Sequence, residues 1–103
     1  MKCGGTADAA PADEETQKVI DTVKQEVEQK LGRELQVFKA LRVARQMVQG
    51  FNFFVKVDIG NNEYIHVRIY QNLPCYGSKI ELHGIQVGKT VNDDVGYFEG
   101  FQL

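Results

Sequence analysis

The chain has no tryptophan, only two prolines and only two cysteines among its 103 residues. Without Trp, core volume has to come from six Phe, four Tyr and the aliphatic side chains. Cys3 and Cys75 allow at most one disulfide, and there is no repeated cysteine framework of the kind that staples small secreted domains. With His66 and His83 they show neither CxxC nor HxxxH spacing, so no zinc site or other metal or cofactor is expected. Phosphate-cradling loops are missing too, because Cys3-Gly4-Gly5 precedes no strand-to-helix turn. No apolar run approaches the ~20 residues that span a bilayer, which argues against a membrane partner. Positive charge is not concentrated anywhere: net charge is -2, and neither half of the chain carries the basic field that nucleic acid requires. Thr, Ala, Asp and Pro follow Met1-Lys2-Cys3-Gly4-Gly5 without an apolar segment, so no secretory leader is expected. These absences suit a reduced, cytoplasmic protein with two free thiols.

What is present reads as one α+β domain over residues 1–103. Residues 1–12 are small, polar and rich in Gly and Ala, too poor in large apolar groups to order themselves, and are expected to form a mobile arm. Asp13 is a suitable N-cap, Glu14 and Glu15 suit the positive end of a helix dipole, and Val19, Ile20, Val23, Val27 and Leu31 recur at helical spacing up to Gly32. The period then drops to two. Val37, Leu41 and Val43 lie on one parity with Phe38, Ala40 and Ala44 on the other, which predicts a strand that is bulged or covered on both sides. Phe51, Phe53, Val55, Val57 and Ile59 alternate with Asn52, Lys56 and Asp58, Phe54 being the exception. Gly60-Asn61-Asn62-Glu63 is a turn signal, and Ile65, Val67 and Ile69 alternate with His66, Arg68 and Tyr70. A break at residues 73–78 precedes Ile80 and Leu82, and Gly84 is placed to shift register before Ile85 and Val87. Residues 88–103 have no period. One amphipathic helix and a run of hairpin-linked strands bury their apolar faces by laying the helix across an antiparallel sheet.

Cys75 with His66 or His83 supplies the residue types of a cysteine hydrolase. But Cys75 falls in a turn, with no helix N-terminus to favour its thiolate. His66 lies on the polar parity of its strand and His83 opposite in parity to Leu82, so both read as surface or sheet-face residues. Binding is favoured over catalysis.

In an antiparallel meander, alternate turns fall at the same end of the sheet. The turn at Gln46-Met47-Val48-Gln49-Gly50 and the break at Leu73-Pro74-Cys75 should therefore share one end, with Gly60–Glu63 at the other. Met47, Val48, Leu73 and Pro74 are expected to be exposed there together.

That constellation resembles the cystatin superfamily, specifically its type 1 members, the stefins. The resemblance spans residues 3–98. It consists of Cys3-Gly4, Glu15-Thr16-Gln17, Val37-Phe38-Lys39-Ala40, the QxVxG pattern at 46–50, Asn52-Phe53-Phe54-Val55-Lys56-Val57, His66-Val67-Arg68, Gln71-Asn72-Leu73-Pro74 and Tyr97-Phe98, in that order. It implies the cystatin fold, one long helix packed across a curved antiparallel sheet of four to five strands. It also implies tight, reversible, competitive inhibition of papain-like cysteine proteases, the cathepsins among them. Carried over, Gly4 lets the arm pass the catalytic cysteine with Cys3 in a neighbouring subsite, and Gly50 permits the tight path of the first tip. Met47 and Val48 give uncharged contact surface, with Gln46 and Gln49 beside them, and Leu73-Pro74 a second foot beside Cys75. Gln49 departs from the small residue common at that position, Cys75-Tyr76 sits where the family varies, and residues 99–103 extend past the usual stefin end. A monomer is expected. Opening of the 46–50 hinge would allow strand exchange into a domain-swapped dimer. The alternative function is a non-inhibitory cystatin-fold module that binds a different protein through the same edge.

Overall fold

The helix and the sheet follow from the two periodicities just described. A computed structural model describes residues 8–103. Asp13 caps α1 (Glu14–Leu31): its carboxylate accepts from the Thr16 backbone N–H at 2.9 Å, and Gly32 closes the other end at φ 75°. Thr16, Val19, Ile20, Val23 and Val27 form the buried stripe. Gln17 fastens the helix to the sheet, donating to Phe38 O at 2.8 Å and accepting from Ala40 N at 2.9 Å.

The sheet has six strands in sequential order: β1 (Ala10–Pro11), β2 (Lys39–Val48), β3 (Gly50–Gly60), β4 (Glu63–Gln71), β5 (Ile80–Lys89) and β6 (Gly100–Gln102). The four central strands match the expected meander. The count of four to five is corrected by two short additions. Ala10 and Pro11, expected in the mobile arm, pair with Val43 and Arg42 at one edge. At the other edge residues 100–102 of the C-terminal extension return to pair with β5 in parallel, so the sheet is mixed rather than wholly antiparallel. β2, expected to be bulged or covered on both sides, has its bulge between Ala40 and Arg42. The shift expected at Gly84 occurs as well: Arg68 faces Gly84 and Ile69 faces Leu82, leaving His83 as the extra residue. Asn61 and Asn62 both take positive φ, 54° and 60°, as the twist-matched two-residue hairpin requires.

One face of the sheet packs on the helix. Val43, Phe53, Val55, Val57, Ile65, Val67, Ile69 and Ile85 meet Val19, Ile20, Val23 and Val27 in the main core. The opposite face is covered as well, by the irregular segment 90–99. There Ala44, Phe54, Val95 and Phe98 form a second cluster, which is why Phe54 breaks the alternation. The same cover rules out the surface alternative for His66 and leaves it on a covered sheet face: it is 2% exposed and its cross-strand partner Lys56 is 1% exposed. The Lys56 ammonium donates to the carbonyls of Thr90, Val91 and Asp93 at 2.5–3.0 Å, tying the segment down. Among the described residues no helix is long and apolar enough to cross a membrane.

Candidate functional site: a two-loop edge

A register that pairs Phe51 with Gln71 puts the β2–β3 turn and the β4–β5 loop at one end of the sheet, as strand parity requires. Gly60–Glu63 closes the other end.

In the first tip, Val48 pairs with Gly50 around Gln49 at the apex. Met47 is 78% exposed and Val48 45%. Gln46 behaves differently from the neighbours with which the motif groups it. It is buried, and its carbonyl accepts from the Asn52 amide at 2.9 Å across the hairpin. Its place is thus in the base of the tip, with Met47 and Val48 forming the surface. Gly50 sits at φ 115°, and a Cβ there would fall 2.5 Å from Gln71 O and 2.8 Å from the Tyr70 phenol oxygen. Two physical reasons therefore demand glycine, the backbone region and the close approach of β4.

The second loop is held by its own hydrogen bonds. Pro74, Cys75 and Tyr76 form one 3-10 turn, with Tyr76 N donating to Leu73 O at 2.8 Å and Gly77 N to Pro74 O at 3.0 Å. Asn72 braces the base, accepting from Lys79 N and donating to Tyr76 O at 3.2 Å, while its backbone N–H bonds Lys79 O at 3.0 Å. Pro74 and Cys75 are exposed, Leu73 is half-buried, and Tyr76 is 73% exposed. Cys75 is a free thiol.

Neither loop carries a charged side chain between Gln46 and Gly50 or between Leu73 and Ser78. An edge of this kind can be desolvated without stranding a charge. It offers apolar contact and backbone polar groups but no general base beside a nucleophile. His66 is sealed under residues 90–99, and His83 stacks on Tyr70 while its Nε2 lies 3.3 Å from the Glu81 carboxylate. No group of three His, Cys, Asp or Glu able to hold a metal occurs among the described residues.

Of the residues singled out in the sequence, the structure gathers Gln46, Met47, Val48, Gln49, Gly50, Leu73, Pro74 and Cys75 at this edge. Cys3 and Gly4 lie outside the described residues. Sequence reasoning missed Tyr70 and Asn72, which brace the two loops from the end of β4 and the residue after it. Tyr70 reads simply as an outward residue on the parity of His66 and Arg68. A cue was available for Asn72, since Asn side chains at turns hydrogen-bond nearby backbone groups and Asn72 opens the Leu73-Pro74 break.

The chain matches the Cystatin domain model over residues 4–92. It is 41% identical over 98 residues to Cystatin-B of Oplegnathus fasciatus, covering 95% of this chain and 98% of that one. Cystatin-B of Bos taurus is 38% identical over 98 residues, covering 95% of this chain and all of the relative. Cystatin-A1 of Sus scrofa is 37% identical, with 95% of each chain covered. With a helix laid across this sheet and QxVxG at the first tip, the chain belongs to the cystatin family of cysteine protease inhibitors, on its stefin branch.

Proposed function

We propose that the two-loop edge blocks the active-site cleft of papain-like cysteine proteases as a reversible wedge. Met47 and Val48 form the first contact and Leu73, Pro74 and Cys75 the second. Cys3 and Gly4 of the arm lie along the adjoining cleft. Gln46 and Gly50 shape the first tip, and the Gln49 side chain contacts the rim. The single observation that carries this reading is the presentation of two uncharged, internally hydrogen-bonded loops at one end of the sheet.

Such loops lose little freedom on binding, so the apolar area they bury is largely retained as affinity. The contribution of the arm is selective, greatest for proteases with open clefts. Inhibition needs no covalent step. The tip is a closed hairpin, with Val48 and Gly50 engaged across the turn, and does not offer an extended scissile bond to the protease. Cathepsins are the natural targets, with the protein itself acting in the cytoplasm as a monomer. Target choice lies with the arm and the Cys75–Tyr76 loop, where Tyr76 supplies the largest exposed surface.

Protection of the papain catalytic thiol tests occlusion directly. Alkylation by iodoacetamide should slow in proportion to the fraction of papain bound. Alkylation at the unbound rate under saturating protein would contradict the wedge and support a partner bound elsewhere.

A further inference from the structure

We infer that Tyr70 is a positioning residue for the first tip, latching the apex from β4 so that it is preformed for a protease cleft. This rests on the inhibitory reading above. Tyr70 stands next to the last residue of β4, paired with Asn52 on one side and Glu81 on the other. Its ring stacks on His83, with centroids 5.5 Å apart and planes 15° from parallel, and the His83 Nε2 lies 3.3 Å from the Glu81 carboxylate. Oriented by that stack, the phenol O–H donates to the carbonyl of Gln49.

Gln49 is the one tip residue without a ladder partner, since Val48 pairs with Gly50 around it. The phenol therefore supplies the constraint that the strand ladder cannot. Gly50 makes the approach possible, because a Cβ there would stand 2.8 Å from the phenol oxygen. A phenylalanine at position 70 would keep the ring and the stack and lose only the latch. Without it the apex samples other conformations, and the observed affinity falls by the fraction of time it spends in the competent one. Once the tip is seated, the cleft itself holds the apex, so escape from the complex is unaffected.

The test is Tyr70→Phe, with association and dissociation rates measured separately against papain and 15N relaxation recorded on the free protein. The association rate constant should drop roughly 2- to 10-fold, the span expected for losing one hydrogen bond, with the dissociation rate unchanged and the thermal midpoint lowered by no more than the few degrees that one hydrogen bond is worth. Backbone order should fall at Met47–Gly50 alone. His83→Ala, which keeps the phenol but removes its stacking partner, should shift the same quantities in the same direction by less. Faster dissociation with unchanged association would overturn the inference, making Tyr70 a direct contact. Unchanged tip relaxation in Tyr70→Phe would also overturn it. The relaxation measurement needs no protease, so failure of the latch is distinguishable from failure of inhibition.

Discussion

Lys56 and His66 face each other across β3 and β4, and segment 90–99 seals both from solvent on the side of the sheet away from the helix. The pair couples an ammonium that has found three carbonyls to an imidazole whose Nε2 has no hydrogen-bond partner. The back of the sheet is thus a second, more polar core, closed by the end of the chain.

Removing the ammonium should loosen that closure. Lys56→Met keeps most of the stem and leaves the carbonyls of Thr90, Val91 and Asp93 to water. A loss of about 1.5–3 kcal/mol is expected, the range for a hydrogen bond to a charged group. Urea unfolding would measure it, and amide exchange should accelerate first at Val95 and Phe98.

His66 gives the protein an acid sensitivity of known sign. Burial first, then the charges of Lys56 and Lys89, push its pKa from 6.5 down to about 4, with Asp93 and the Gln86 side chain opposing. Above pH 6.5 the ring is neutral in folded and unfolded chains alike. Between pH 6.5 and about 4 only the unfolded chain takes up the proton, so stability falls as pH falls, by at most about 1.4 kcal/mol per unit. Asp13 and Asp93 are held low chiefly by the Thr16 and Thr90 backbone N–H groups and add the same sign, but only below pH 3.8. Urea unfolding as a function of pH should show this slope in the wild type and lose it between pH 6.5 and about 4 in His66→Gln.

Gly50→Ala asks the tip to hold a side chain at φ 115°, against the Gln71 carbonyl. The strain should cost about 1–3 kcal/mol. Because the residue sits at the end of a hairpin whose cores lie elsewhere, the fold should survive. Papain affinity should drop by roughly 10-fold or more, the equivalent of at least 1.4 kcal/mol, while the circular dichroism spectrum stays unchanged.

Gly84→Ala probes the opposite edge. A Cβ at Gly84 would lie 2.5 Å from Gly100 O and 3.1 Å from the Phe98 ring, so β6 has to move. Faster exchange of the Gly100–Gln102 amides is expected, together with loss of the Lys30–Phe101 cation–π contact, now 4.7 Å to the ring centroid. Papain affinity should hold, since the two loops are braced from β3 and β4.

The helix and the two-loop edge were legible in the sequence because their causes are local. Asp13, the Val19–Val27 stripe and Gly32 bound the helix by capping and period, and counting turns in a meander places Gln46–Gly50 beside Leu73–Pro74. The buried state of Lys56 and His66 was not legible. Both sit on the polar parity, and the segment that covers them has no period; only tertiary contact shows that the Lys56 ammonium meets carbonyls there instead of water. The β6 pairing was hidden for a related reason, since a parallel return follows a long irregular connection that leaves no hairpin signal. Tyr70 escaped notice because its role depends on a hydroxyl meeting a carbonyl 21 residues away.

Titration of papain of known active-site concentration with the purified protein tests the central claim most directly. Activity should fall linearly and reach zero near one inhibitor per active site. Full papain activity in micromolar excess of the protein would contradict it.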